Sequence, residues 1–354
     1  MTKQIVYLVT CMVFFASCHK ESTPMIDTLC SQDDIGNYLI KWETESSITG
    51  TVKLYVSDTP DHFNMSDAAL SEDIDKGVMT YITEDNLSRK YFLLSFNDKL
   101  YLPVGSSRSI AMDSIQNFRD LGGYYNTRNN RSTRWGKIFR SGDLTTVSNR
   151  DTSRLDNLKI KTIVDLRNEK EANDNPFKYG KARLIKLPVP FEDENTVEEK
   201  ILKGEMRKGD VQLYMQGVYL SFVDKYSEQF AKALKLFLNK ENYPILISCD
   251  LGKDRVGFLT ALLLAAADVP EETIKKDYML SNECINISHL SYLAHELNAD
   301  SQEAATVLLT VNESILDLAF SQIKKEYGSI DKYLSKKMHL TDKEQQEIKE
   351  IVLH

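Results

Sequence analysis

The chain has 354 residues, of which 42% are hydrophobic and 27% charged, an ordinary balance for a globular protein and enough length for two domains. Its net charge of −8 and pI near 5.4 argue against nucleic acid, or a broadly anionic membrane surface, as the main partner. A local basic pocket remains compatible with that charge.

Residues 1–18 stand apart from the fold. Lys3 supplies a positive start, and Ile5 to Ala16 is an apolar run too short for a permanent span. Phe15-Ala16-Ser17-Cys18 resembles the lipobox of bacterial lipoproteins. That resemblance implies a mature chain that begins at a lipidated Cys18 and is exported and held by acyl chains to a bacterial membrane, at its periplasmic face or at the cell surface. An ordinary secretory signal with a chance cysteine is the alternative, and it too places the chain outside the cytoplasm. Residues 19–25 read as a polar tether. Cys30, Cys249 and Cys284 are then the cysteines left, which is no disulfide framework.

Residues 26–105 read as a unit of their own. Tyr38–Glu43 and Thr51–Val56 alternate at period two, and Tyr91–Phe96 with Lys99–Leu102 forms a hairpin pattern about Asn97-Asp98. The spacing and the Trp42 strand resemble a small fibronectin-type β-sandwich. Gly105 to Ser109 reads as a linker, and a second domain follows over 110–354.

In this second part, a helical pattern about Arg154–Leu158 precedes a buried strand type at Thr162–Leu166, and Arg183–Pro190 holds another short strand. Phe191 to Asp210 is acidic, contains glycine and lacks clear periodicity, which suggests a lid loop or a solvated surface loop. Val211 to Leu238 carries apolar residues at three and four spacing, as one long helix or two. Phe258 to Ala267 is almost wholly apolar and reads as a buried helix, and Pro270 opens another. His62, His289, His295 and His339 are scattered without metal-ligand spacing, so neither a metal nor another cofactor is expected.

The organising stretch is Ile245 to Thr260, read as strand, loop and helix with Cys249 at the strand end. Such a turn aims backbone N–H groups at one point, and the helix beginning near Lys253 adds its positive dipole end. The loop Asp250-Leu251-Gly252-Lys253-Asp254 would cradle an oxyanion the size of phosphate. An electropositive loop should lower the Cys249 thiol pKa. If the loop curls back, the Arg255 fork can grip two phosphate oxygens.

Cys249-Asp250-Leu251-Gly252-Lys253-Asp254-Arg255 resembles the CxxGKDR loop of bacterial cysteine-dependent tyrosine and lipid phosphatases. Asn117–Tyr124, Phe139–Leu144, Asp165–Arg167 and Asp277–Asn282 look like that family's other blocks, in the same order. The resemblance implies an α/β fold with a mostly parallel central sheet flanked by helices, here preceded by the small all-β sandwich. It also implies phosphoric monoester hydrolysis through a cysteinyl phosphate. The substrate would be phosphotyrosine in a protein, with phosphoserine, phosphothreonine or a phosphoinositide as further possibilities. Cys249 is then the nucleophile and Arg255 the clamp, while Lys253 offers a charge for an extra phosphate or simply anchors the loop. Asp254 competes with Asp193 or its neighbour Glu192 as the general acid.

Arg119, Asp120, Arg140 and Asp165 are read either as parts of the site or as buried ion pairs that set the architecture. Two positions depart from the family: Ser248 stands where His usually precedes the nucleophile, and Val256 where a Thr or Ser follows the Arg. A chain that holds phosphate or an anionic headgroup without turnover is the competing class.

Overall fold

The computed structural model describes residues 26–33, 35–44, 48–126, 131–191, 194–286 and 297–354. The expected signal, Cys18 and the tether lie outside the described residues, as do Glu192, Asp193, His289 and His295.

Residues 26–105 build two antiparallel sheets. Strands β1 (Ile26–Gln32), β2 (Tyr38–Thr44), β3 (Thr51–Ser57), β4 (Leu70–Asp73), β5 (Val78–Tyr81), β6 (Tyr91–Phe96) and β7 (Leu100–Gly105) form the orders β1-β2-β5 and β4-β3-β6-β7. Period-two alternation turns Tyr38, Ile40 and Trp42 of one sheet, and Val52, Leu54, Phe92, Leu94 and Phe96 of the other, into one shared core. The indole N–H of Trp42 donates to the Ile74 carbonyl at 2.7 Å. Three residues join β6 to β7; Asn97 and Asp98 both take left-handed φ values of 54° and 55°, as the central pair of a tight turn closed by the Lys99 N–H on the Phe96 carbonyl at 3.0 Å.

The expected linker is not a solvated one. Ser106 and Ser107 are buried because Arg89, just before β6, reaches across them. Its Nε donates to Ser106 Oγ at 3.0 Å, one terminal nitrogen donates to the Ser107 carbonyl at 2.7 Å, and the other pairs with Asp120 in the next domain. Sequence patterning missed this because a buried arginine looks like a surface one until its partners are known.

The second domain holds the short strands β8 (Arg119–Asp120), β9 (Tyr125–Asn126) and β10 (Arg131–Ser132), then β11 (Ile138–Ser141), β12 (Thr162–Asp165), β13 (Arg183–Lys186) and β14 (Ile245–Ser248). The central sheet runs β13-β12-β14-β11-β8, parallel throughout except for β8. Strand β14 is buried along its whole length, which is why it reads as a continuous apolar run rather than an alternating one. Ser141 and Asp165 flank Ser248 in register, so the carboxyl ends of three adjacent strands open on one crevice, where open α/β sheets bind ligands.

The helices are α1 (Asn149–Asn157), α2 (Glu169–Asp174), α3 (Glu194–Leu202), α4 (Lys208–Val223), α5 (Ser227–Leu236), α6 (Arg255–Ala266), α7 (Glu271–Met279) and α8 (Ser281–Cys284), followed by Ala299–Leu309, Glu313–Tyr327, Ile330–Lys336 and Asp342–Val352. The stretch read as an aperiodic loop contains α3, whose Val197 and Ile201 are buried. That pair at four spacing is a single helical stripe, too short to register as periodicity among acidic neighbours. Val211 to Leu238 divides into α4 and α5.

Candidate active site

The loop between β14 and α6 is held from outside by its own carbonyls. The Asp250 carbonyl accepts from the Asp143 N–H at 2.7 Å. The Leu251 carbonyl accepts from the Asn117 amide at 3.0 Å, and the Gly252 carbonyl from Arg140 at 2.7 Å. In a trans peptide the N–H points opposite to the C=O. Three carbonyls turned outward therefore turn the N–H groups of Leu251, Gly252 and Lys253 inward. Gly252 takes φ +67°, and a Cβ there would lie 2.2 Å from the Ser141 carbonyl oxygen, so only glycine fits between the loop and β11. Helix α6 starts at Arg255 and brings its positive end to the same point.

The residues that grip the loop are themselves fixed by a buried carboxylate. Asp277 on α7 bonds Arg140 at 2.7 Å and Arg119 at 3.1 Å, and it accepts from the Tyr124 hydroxyl at 2.7 Å. Arg119 also donates to Ser281 Oγ at 3.1 Å and pairs with the Asn117 side chain. Burial alone would raise the Asp277 carboxyl, but Arg119 and Arg140 overcome it and hold the group well below the usual carboxylate range. The ion-pair reading of Arg119, Asp120, Arg140 and Asp165 thus describes what is seen, since Asp120 pairs with Arg89 and Asp165 with Arg167. Arg140 does more, because it reaches the loop itself.

Cys249 is only 2% exposed. Burial pushes its thiol up, while Arg255 and the N–H of Val256 pull it down; Asp250 and Asp254 push it up again, and the net direction is upward. The expectation of a lowered thiol pKa is therefore corrected. The positive loop is present, but so are burial and two carboxylates one and five residues on.

The Arg255 fork is not free. Its terminal nitrogens make two bonds to Glu171, at 2.8 and 3.1 Å, and its plane lies over the Phe191 ring at 4.7 Å. Glu171 is also the third residue of α2, where its carboxylate accepts from the Asn168 N–H at 2.5 Å in a capping box. The Arg255 Nε is buried without a partner, a donor left waiting for an acceptor.

Lys253 is also committed. It is 2% exposed, with its ammonium 2.7 Å from Asp254 and 3.4 Å from the Thr310 carbonyl. Asp254 accepts on its other oxygen from the Tyr219 hydroxyl at 2.9 Å, and Tyr219 lies 2.7 Å from the Tyr278 hydroxyl. The Ser248 hydroxyl donates to the Gly142 carbonyl at 2.6 Å, which ties strand β14 to the end of β11.

The structure thus brings together Cys249, Asp250, Leu251, Gly252, Lys253, Asp254 and Arg255. Asp193, Glu192 and Cys18 lie outside the described residues. Among the described residues no group of His, Cys, Asp and Glu is placed to hold a metal ion. Sequence reasoning missed Asn117 and Asp143 as loop anchors, Glu171 as the partner of Arg255, and Tyr219 as the partner of Asp254. Asn117, Asp143 and Asp277 fall inside the sequence blocks that flank the loop, and that was the available signal.

A family-wide sequence profile described as the tyrosine phosphatase family matches residues 110–354. A provisionally named tyrosine-protein phosphatase of Cupriavidus necator is 31% identical over 236 residues, covering 65% of this chain and 84% of its own. The triple specificity protein phosphatase PtpB of Mycobacterium tuberculosis is 27% identical over 255 residues, covering 61% of this chain and 92% of its own. Among solved structures, the core catalytic domain of the PP-IP phosphatase SIW14 from S. cerevisiae matches 60% of this chain and 96% of its own, at 18% identity and a TM-score of 0.28.

Proposed function

This chain belongs to the tyrosine phosphatase family, and from that premise we propose that Cys249 and the loop to Arg255 carry out its hydrolysis of phosphotyrosine. The observation that carries this assignment is the outward anchoring of three successive loop carbonyls, which leaves their N–H groups free to bind the equatorial phosphate oxygens. Arg255 Nε supplies a further donor, and an incoming phosphate competes with Glu171 for the rest of the fork.

The first step displaces the tyrosine oxygen from phosphorus by the Cys249 sulfur. The S–P bond forms, the P–O bond to the phenol breaks, and the proton that began on sulfur ends on the leaving oxygen. A buried thiol that keeps its proton until substrate arrives fits that balance, because no separate acid has to be loaded. Asp254, a loop residue whose two oxygens accept from the Tyr219 hydroxyl at 2.9 Å and the Lys253 ammonium at 2.7 Å, is assigned to relay that proton. In the second step water attacks phosphorus, returns a proton to sulfur and releases inorganic phosphate. The relative named for triple specificity supports a wider substrate range, with phosphoserine and phosphothreonine beside phosphotyrosine.

Val256 gives the sulfur an N–H but has no hydroxyl to assist its departure. A burst of phenol release followed by slow phosphoenzyme breakdown is expected, and Val256→Thr should raise the steady-state rate while leaving the burst amplitude unchanged. Stopped-flow traces on a chromogenic aryl phosphate read both. Linear product release with no burst contradicts the assignment.

The chain is further proposed to be exported and lipid-anchored through Cys18. The short charged start, the apolar run to Ala16 and the lipobox-like Phe15-Ala16-Ser17-Cys18 support this. Among the described residues no single helix is long and apolar enough to cross a membrane. Cys18→Ala is expected to move the protein from the membrane fraction to the soluble one; unchanged membrane association contradicts the anchor.

A further inference from the structure

Beside the loop lies a cleft of about 460 Å³, within the usual size of ligand sites. Its charged walls are Glu171, Asp174, Glu194, Glu198 and Asp250 against a single base, Lys170. Arg255 stands at its inner end, bonded to Glu171 and stacked on Phe191, both of them cleft walls, with its Nε buried and unpaired. The cleft is therefore the mouth of the phosphate site, with one anion position inside and an acidic rim outside.

Among the described residues, no Lys or Arg forms an ion pair with Asp174, Glu194, Glu198 or Asp250, and these carboxylates do not converge to hold a metal. The rim carries unbalanced negative charge. Burial first, and then Glu171, Asp250 and Glu198, push the Glu194 carboxyl up to about 7 against the pull of Arg255; Glu198 is raised as well, by burial, Asp250 and Glu171. Like charges crowded in this way are relieved by a cation placed among them.

Lys253, the one loop residue suited to a second phosphate, is instead bound to Asp254 and Thr310. An inositol headgroup with several phosphates would lay its extra anions against the rim. A peptide with lysine or arginine beside the phosphorylated residue would lay cations there.

We propose that the rim formed by Asp174, Glu194, Glu198 and Asp250 selects phosphotyrosine peptides with basic residues flanking the phosphotyrosine, and disfavours polyphosphorylated inositol headgroups. This rests on the reading of the Cys249 loop as the phosphate site. Each exposed pair contributes little singly, so the discrimination comes from the sum over several carboxylates.

The experiment uses the mature full chain at fixed low ionic strength. It measures kcat/KM for phenyl phosphate, for phosphotyrosine peptides flanked by Arg, by Ala and by Glu, and for an inositol polyphosphate. The Arg-flanked peptide is expected to exceed the Glu-flanked one by roughly tenfold or more. The double variant D174N/E198Q should bring that ratio towards one and leave phenyl phosphate turnover unchanged, because neither side chain bonds a residue of the loop or Arg255, whose ion-pair partner is Glu171. Equal turnover of the three peptides, a preference for the Glu-flanked peptide, or faster turnover of the inositol polyphosphate overturns the proposal while leaving the catalytic assignment intact. Loss of phenyl phosphate turnover in the unmodified protein overturns the catalytic assignment instead, so the two failures are separable.

Discussion

Replacing Cys249 by serine is expected to leave the fold intact and to lower turnover of a phosphotyrosine ester by on the order of 10⁴-fold or more. The two side chains are nearly isosteric, and the position is 2% exposed within a packed loop, so neither a cavity nor a clash results. What is lost is the attacking atom. A serine hydroxyl in the same place meets the same burial and the same two carboxylates that push the thiol up, and it starts from a far weaker acid. Phosphate binding should survive, because the inward N–H groups and Arg255 are untouched. Inhibition of the unmodified protein by inorganic phosphate, and direct binding of phosphate to Cys249→Ser, should therefore give dissociation constants within a few-fold of each other. A chain that merely holds phosphate would give the same binding, but the unmodified protein would show no turnover to lose.

Asp277→Asn is expected to be the most damaging change outside the loop. Asp277 is 1% exposed and neutralises two arginines that are fully buried. Removing its charge strands both guanidiniums, at a cost of about 3–5 kcal/mol by analogy with other buried pairs. Arg140 would then be free to leave the Gly252 carbonyl, and the Gly252–Lys253 peptide would lose its fixed orientation. The folded fraction should bind phosphate more weakly and turn over more slowly, measured as kcat and KM at a temperature well below the lowered midpoint of unfolding. The acid limb of stability should also change. The Asp277 pKa is depressed on folding, so the unfolded chain binds the proton more tightly. Its contribution to stability is fully present above the unfolded carboxylate value and is lost as pH falls below about 4. Asp277→Asn should therefore show a shallower loss of stability on acidification than the parent, followed by chemical denaturation at a series of pH values. Equal slopes would mean that Asp277 is not ionised in the fold.

How legible this was depended on distance along the chain. The loop could be read because its strand, nucleophile, glycine and arginine are contiguous, and the geometry that binds an oxyanion follows from seven successive residues. The β hairpin at Asn97-Asp98 could be read for the same reason. Asn117, Arg140 and Asp277 could be seen as blocks but not given roles, since their partners lie more than a hundred residues away and burial is what gives those contacts their weight. Glu171 was unreadable because it serves α2 as a cap, a role that accounts for the residue without reference to Arg255. The direction of the Cys249 shift was misread for a related reason. The positive groups near it adjoin it in sequence, whereas the desolvation that outweighs them is a property of the packed domain. Helix α3 was missed because, among its described residues, only Val197 and Ile201 are buried, and its acidic residues Glu194 and Glu198, which resembled a solvated loop, line the cleft beside the site.

The most direct measurement is a rapid acid quench of the mature protein with a phosphotyrosine ester labelled in its phosphoryl group. Label is expected to remain on the protein in near-stoichiometric amount during the burst, to map to the peptide containing Cys249, and to be absent from Cys249→Ser. Turnover at full rate with no label on that peptide, or with the label on another residue, would contradict sulfur as the attacking atom.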